Sequence, residues 1–393
     1  MVLGKIVVSS IILSLMLVSP THALEFERAR GIYLLGNLGQ RQLPADVIEL
    51  PHVDGYTMRL LWEEVEALEG KYDFSAISTV LGQLAPFGSR KRLTLELFAR
   101  EVPQYILQHP GVKTYSITPR NASAPDTTAV PWDEYALARY EALMQALAAY
   151  PVFDPAIGDM TPLRDHSLLA HVDAQIVGLG SVRDIPRDLP NAPGYSRDLF
   201  VPAGVASVGK TIAAFPGKFP FLAFFQMSDN IAQPPLDRVL LEQLRTAYFP
   251  GGNVKPQLGL FQENLACATP NTAFAYALAE SQADTYILFQ ALQPWLAPFS
   301  NPSRTDVCLV FDPPLPEGWQ TGDPATDNAI RATAIGGPEI GLRHAINNFS
   351  CFYFELYLQD LRHVPFRDEF MTIHDLIWET TTGTSAMTGL IIH

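Results

Sequence analysis

Residues Gly55 to Leu81 read "GYTMRLLWEEVEALEGKYDFSAISTVL". An apolar run ends at Trp62 in a burst of acids. A turn follows, Glu69-Gly70-Lys71-Tyr72-Asp73-Phe74-Ser75. From Phe74 the apolar residues then recur at helical intervals as far as Gly88. Gly70 permits a tight turn, and Ser75 or Asp73 can cap the helix. The stretch therefore reads as strand, turn and helix, and the rest of the chain repeats that unit.

A first strand is read at 30–36 and the second at 55–62. Others are read at 91–99, 170–180, 219–229, 255–266, 284–295 and 350–361. Helical patterns fall at 133–151, 200–216, 236–249, 271–282, 336–349 and 367–378. Eight strands alternating with helices predict an α/β fold, a (β/α)8 TIM barrel. A doubly wound open sheet is the runner-up, weakened because no Gly-rich phosphate turn follows the first strand. Segments 101–131, 181–199 and 296–335 follow the third, fourth and seventh strands and are rich in Pro and polar residues. In a barrel they are βα loops on the carboxyl-end face, where sites are built.

The chain has 393 residues, 48% hydrophobic and 17% charged, a globular composition. Its net charge of −14 speaks against a nucleic-acid partner, which needs a basic face. Residues 1–23 read as a signal peptide. Lys5 precedes the run "IVVSSIILSLMLV", and Thr21-His22-Ala23 forms a small-residue cleavage site. The expectation is a secreted or periplasmic protein, with one barrel domain over 24–393 and no stable membrane span after cleavage. The motifs "NAS" at Asn121 and "NFS" at Asn348 accept glycans only in a eukaryotic secretory route.

The quoted stretch resembles the early-barrel signature of retaining glycoside hydrolases with (β/α)8 barrels, the broad clan of β-galactosidase-like and cellulase-like enzymes. The matching residues are Arg59, Trp62, Glu66, Glu69, Gly70, Tyr72, Asp73, Phe74 and Ser75. "VPQYIL" (102–107), "VPWDEY" (130–135) and "FELYLQDL" (354–361) extend the likeness loosely. The resemblance implies a carbohydrate substrate and cleavage by two carboxyl groups, one protonating the leaving oxygen and one acting as nucleophile or base. It also implies glutamates at the ends of strands four and seven, and here the sequence departs. "GLGSVRD" offers only Asp184, and Gln290 stands in "YILFQALQPW".

Other acids are candidates for the carboxyl pair. Glu263 falls at the end of the sixth strand beside Gln262 and Asn264. Glu355 shares a strand face with Tyr353 and Tyr357. The catalytic candidates are thus Glu263, Glu355 and Asp184. A structural glutamate held by Arg59 or by tyrosine hydroxyls is the alternative role for Glu355. Glu96 and Asp229 read as structural or polar lining. Arg59, Trp62, Trp132, Asn264, Gln290 and Trp295 are the substrate-binding candidates, because indole rings at strand ends can stack on sugar faces. Trp319 and Trp378 read as packing residues. No cysteine or histidine spacing predicts a metal site, and no cofactor is expected. Of the three cysteines, Cys267 and Cys308 are expected to form a bridge on the carboxyl-end face, with Cys351 a buried free thiol. A catalytically inactive barrel that binds carbohydrate or a protein partner is the competing expectation.

Overall fold

The computed structural model describes residues 26–117, 126–179, 188–227, 229, 231, 234–252, 254–266, 272–296, 308–316 and 318–379, the side chains of 272–274 excepted. Eight parallel strands close into a barrel in which sequence neighbours are spatial neighbours. They are β1 (Gly31–Leu35), β2 (Gly55–Leu61), β3 (Arg92–Phe98) and β4 (Leu169–Asp173). The others are β5 (Phe219–Ala223), β6 (Gly259–Leu265), β7 (Ile287–Ala291) and β8 (Tyr353–Leu356). β8 pairs back onto β1, with Tyr33 opposite Glu355. This is the (β/α)8 barrel that the alternating pattern predicts.

A helix follows each strand. The first connection carries only one turn, α1 (Ala45–Ile48), too short to leave a periodic signal. Then come α2 (Ser75–Leu84), α3 (Glu134–Ala149), α4 (Arg197–Ala214) and α5 (Leu236–Tyr248). The series ends with α6 (Thr272–Ser281), α7 (Pro338–Phe349) and α8 (Arg367–Glu379). Local chemistry sets several starts. Asp133 accepts the Ala136 N–H at 3.0 Å, and Ser196 accepts that of Leu199 at 3.3 Å, both as N-caps. Two antiparallel hairpins decorate the barrel: Thr114–Ile117 with Asp126–Ala129 after β3, and Pro151–Asp154 with Asp159–Pro162 before β4.

Period-2 alternation sorts each strand into two faces. On β8, Phe354 and Leu356 join the large core between strands and helices, whereas Tyr353 joins the inner cluster with Tyr33, Phe219, Phe221 and Phe261. These aromatic side chains fill the middle of the barrel axis. Several strands are shorter than their apolar runs. The fourth, read as 170–180, stops at Asp173. Beyond it Ile176, Val177 and Leu179 are buried in the outer core, so the run stays apolar although the chain has left the ladder.

Cys351 is a buried free thiol whose Sγ donates to the Tyr353 carbonyl at 3.0 Å, and burial pushes its pKa up. Cys308 is buried in the segment after β7. Cys267 lies outside the described residues, so the expected bridge is not described. No helix among the described residues is long and apolar enough to cross a membrane.

Candidate active site

Four carboxyl groups enter the barrel from different strands near the carboxyl-end face: Glu96 (β3), Asp173 (β4), Glu263 (β6) and Glu355 (β8). All four residues are at most 5% exposed. Arg59 on β2, register partner of Glu96, places Nε 3.0 Å from the Glu96 carboxylate. Arg59 also lies over the Phe98 ring, 5.0 Å from its centroid.

Burial and charge crowding act on this cluster together. Desolvation, then Glu96 and Glu263, push the Asp173 carboxyl well above its ordinary range. Desolvation and then Glu96 do the same to Glu355. Both acids therefore retain a proton where an exposed carboxyl would be ionised. Asp173 Oδ2 accepts from the Gln175 amide, while Oδ1 has no hydrogen-bond partner among the described residues. Glu355 Oε1 accepts from the Tyr353 hydroxyl at 2.6 Å and from Thr57 at 3.0 Å; its Oε2 has none. Glu355 is thus held by hydroxyls, as its alternative reading has it, but Arg59 pairs with Glu96 instead.

Glu263 sits where the β6–β7 pairing shifts register between Gln262 and Leu265. Such bulges re-aim side chains and occur beside active sites. Between β4 and β6, β5 contributes the small side chain of Ala223 to the inner cluster. On β7, Gln290 stands level with Glu355 and donates to the Tyr357 hydroxyl at 3.2 Å. Neither side-chain polar atom of Asn264 is hydrogen-bonded among the described residues.

The structure thus brings together Arg59, Glu263, Glu355 and Gln290. It adds Asp173, which reading the fourth strand as ending near 180 had hidden, and Glu96, read as lining. Asp184 lies outside the described residues. Asp173 had a signal in the sequence, since His171 and Asp173 alternate as Tyr353 and Glu355 do. Asp229 is structural. Arg197 and Tyr195 bind it at 2.5 and 2.6 Å, and the Arg197 guanidinium is the main cause that holds its pKa at about 2.

Two of the candidate tryptophans are buried in the outer core. Trp62 is fully buried there and opens the helical turn Trp62–Val65 that follows β2. Its ring packs 5.6 Å from Tyr140 of α3, and its indole N–H donates to Glu66 at 2.8 Å. Glu66 also accepts the Gly70 N–H at 2.9 Å and pairs with Arg139, which reaches the Tyr72 and Tyr105 hydroxyls. Most of the opening signature is therefore a clamp joining the loop after β2 to α3; Arg59 is its member in the acid cluster. Trp295 is also fully buried. Trp132 is half-buried against Tyr195, at 5.9 Å between centroids, and its indole N–H has no partner among the described residues. It remains a candidate platform.

Asp360, just after β8, fixes the backbone after β7 by accepting the N–H groups of Trp295 and Leu296 at 3.0 and 3.1 Å. Burial raises its pKa from 3.8 to about 7. A carboxyl whose folded pKa is raised gives stability that is complete below the unfolded pKa and is lost as pH rises through the folded one. Wild type should lose stability relative to Asp360→Asn between about pH 4 and pH 7, at up to about 1.4 kcal/mol per pH unit. Urea unfolding of both proteins across that range checks this; parallel curves would contradict it.

No group of three or more His, Cys, Asp or Glu among the described residues is arranged to hold a metal ion. No protein-family model matches the chain, and no curated protein matches it by sequence. Solved structures are similar at low identity. Xylanase 10B from Thermotoga petrophila RKU-1, in complex with xylobiose, has a TM-score of 0.45 at 7% identity over 84% of this chain and 82% of that one. The catalytic domain of the major endoglucanase from Xanthomonas campestris pv. campestris has 0.42 at 10% identity, over 90% and 95%. Endo-glycoceramidase II from Rhodococcus sp. has 0.37 at 10% identity over 67% of this chain, and the match spans just under two thirds of its length, 66%.

Proposed function

We propose that this chain is an exported glycoside hydrolase-like protein that cleaves glycosidic bonds of a glycan with a carboxyl pair at the barrel's carboxyl end. The observation that carries the reading is the cluster of Glu96, Asp173, Glu263 and Glu355 around Arg59. Glycosidic cleavage needs one carboxyl that keeps its proton and a second that acts as nucleophile or base. Asp173 suits the first role, since burial and two neighbouring acids favour its protonated form and one of its oxygens is unengaged. Glu263, on the irregular segment of β6, is the assigned second carboxyl. Glu96, held by Arg59, keeps a negative charge beside the pair that favours the protonated form of Asp173. Gln290, Asn264 and Trp132 are the assigned sugar contacts. Export rests on the reading of residues 1–23.

Gln290 favours a second reading. An amide on the seventh strand cannot form a glycosyl-enzyme intermediate, which suits a barrel that binds carbohydrate without cleaving it. A screen of the mature protein against a broad set of glycans, scored for reducing-end release and for binding, separates the two. Release of sugar supports hydrolysis. Binding without release supports the silent barrel. Neither one would leave the carbohydrate reading without support.

A further inference from the structure

The opposite, amino-end face of the barrel opens into a cavity of about 830 Å³, within the range of small-molecule sites. Its charge contrasts with that of the acid cluster. Arg28, Arg30, Arg90, Lys91 and Arg92 line it against the carboxylates of Glu27, Glu49 and Asp54. This cationic excess stands on a chain of net charge −14. Part of the charge is already engaged. Asp54 faces His374 at 3.2 Å, Arg30 donates to the Ile377 carbonyl, and Lys91 to the Leu50 carbonyl. Arg92 is exposed at the start of β3; its backbone N–H donates to the Asp54 carbonyl at 2.9 Å, and its guanidinium has no ion-pair or hydrogen-bond partner among the described residues.

Two buried polar groups line the inner part of the same cavity. Tyr33 and His171 are 1% and 2% exposed, with rings edge to face at 5.2 Å. The Tyr33 hydroxyl has no hydrogen-bond partner among the described residues, and only Nδ1 of His171 has one, Thr94 at 3.1 Å. Tyr353 donates to Glu355, so the Thr94 hydroxyl donates to Tyr353 at 2.9 Å and His171 Nδ1–H donates to Thr94. That order leaves His171 Nε2 as an acceptor. Burial, then Arg92, Lys255 and Lys218, hold the imidazole neutral. Phe219, 5.7 Å from His171, supplies an apolar wall. Water or a ligand in the cavity supplies the partners that the protein does not.

We propose that this cavity is a second binding site, distinct from the acid cluster, for a hydroxylated organic anion of sugar-acid size. The acid group lies against Arg92. A ligand hydroxyl donates to His171 Nε2 and another meets the Tyr33 hydroxyl, while the carbon frame covers Phe219. A neutral sugar lacks the first interaction and a bare phosphate lacks the frame. The site does not depend on whether the acid cluster is catalytic.

The test is calorimetric titration of the mature protein with glucuronate, glucose and inorganic phosphate. Glucuronate is expected to bind below about 10 mM, at least about tenfold more tightly than either comparator. Arg92→Glu, at an exposed position, should abolish that preference. Tyr33→Phe should weaken glucuronate several-fold with little change in Tm, and Asp173→Asn should leave it unchanged. If Tyr33→Phe does not fold, Arg92→Gln decides alone. No glucuronate binding, equal binding of glucose or phosphate, or full affinity in the Arg92 variants would overturn the proposal. Loss of binding in Asp173→Asn would move the ligand to the other face and overturn it equally.

Discussion

Asp173→Asn is expected to lower glycoside hydrolysis by about 10²- to 10⁴-fold, the usual contribution of a positioned general acid. The fold should persist, because asparagine has nearly the same shape and mimics the neutral carboxyl that burial already favours. The sign of the stability change follows from the raised pKa. An ionised Asp173 costs the folded state free energy above the ordinary carboxyl pKa, so the variant should be as stable as wild type at pH 7, or more so. Glu263→Gln should remove activity comparably if Glu263 is the second carboxyl. Steady-state kcat/KM beside thermal unfolding at pH 7 checks both halves. Full activity in Asp173→Asn would return the acid role to another member of the cluster, with Glu355 next.

The second large effect is on stability, at the clamp after β2. Glu66→Ala should cost about 3–5 kcal/mol, because it leaves the Arg139 guanidinium without its buried partner. The Glu66 side chain is fully buried and that of Arg139 only 15% exposed. The same change strips acceptors from the Trp62 indole and the Gly70 N–H. Adding Arg139→Leu should restore part of the loss, since the stranded charge is then gone. Denaturant unfolding of the single and double variants measures the coupling. A loss below about 1 kcal/mol for Glu66→Ala would mean that solvent replaces the clamp.

These two regions also mark what the sequence makes legible. The barrel is readable because eight apolar runs alternate with helical periodicity; seven strands fall inside their expected runs, and the fourth starts one residue before its own. Strand ends are less readable, because loops over the barrel rim are themselves buried and continue the apolar run. This hid Asp173. The residues after it, through Leu179, look like more strand, so the search for an acid moved on to Asp184. Alternation from His171 would have marked Asp173 as inward. In sequence Trp62 reads as the end of the second strand, but the strand stops at Leu61 and Trp62 opens a helical turn that packs into the outer core. A match to the opening signature does not say which members face the cleft. Glu66 and Trp62 hold the loop after β2 to α3, and Arg59 reaches the acids. The role of Glu96 is set by pairing with Arg59 across β2 and β3, a contact that depends on register and leaves no mark in local sequence.

The most direct measurement is a crystal structure of the catalytically impaired Asp173→Asn protein soaked with a glycan that the wild type cleaves or binds. Sugar is expected at the carboxyl-end face, with a glycosidic oxygen within about 3.2 Å of residue 173 and Glu263 on the facing side of the ring. Sugar bound elsewhere on the barrel, with the four acids sealed beneath side chains, would contradict it.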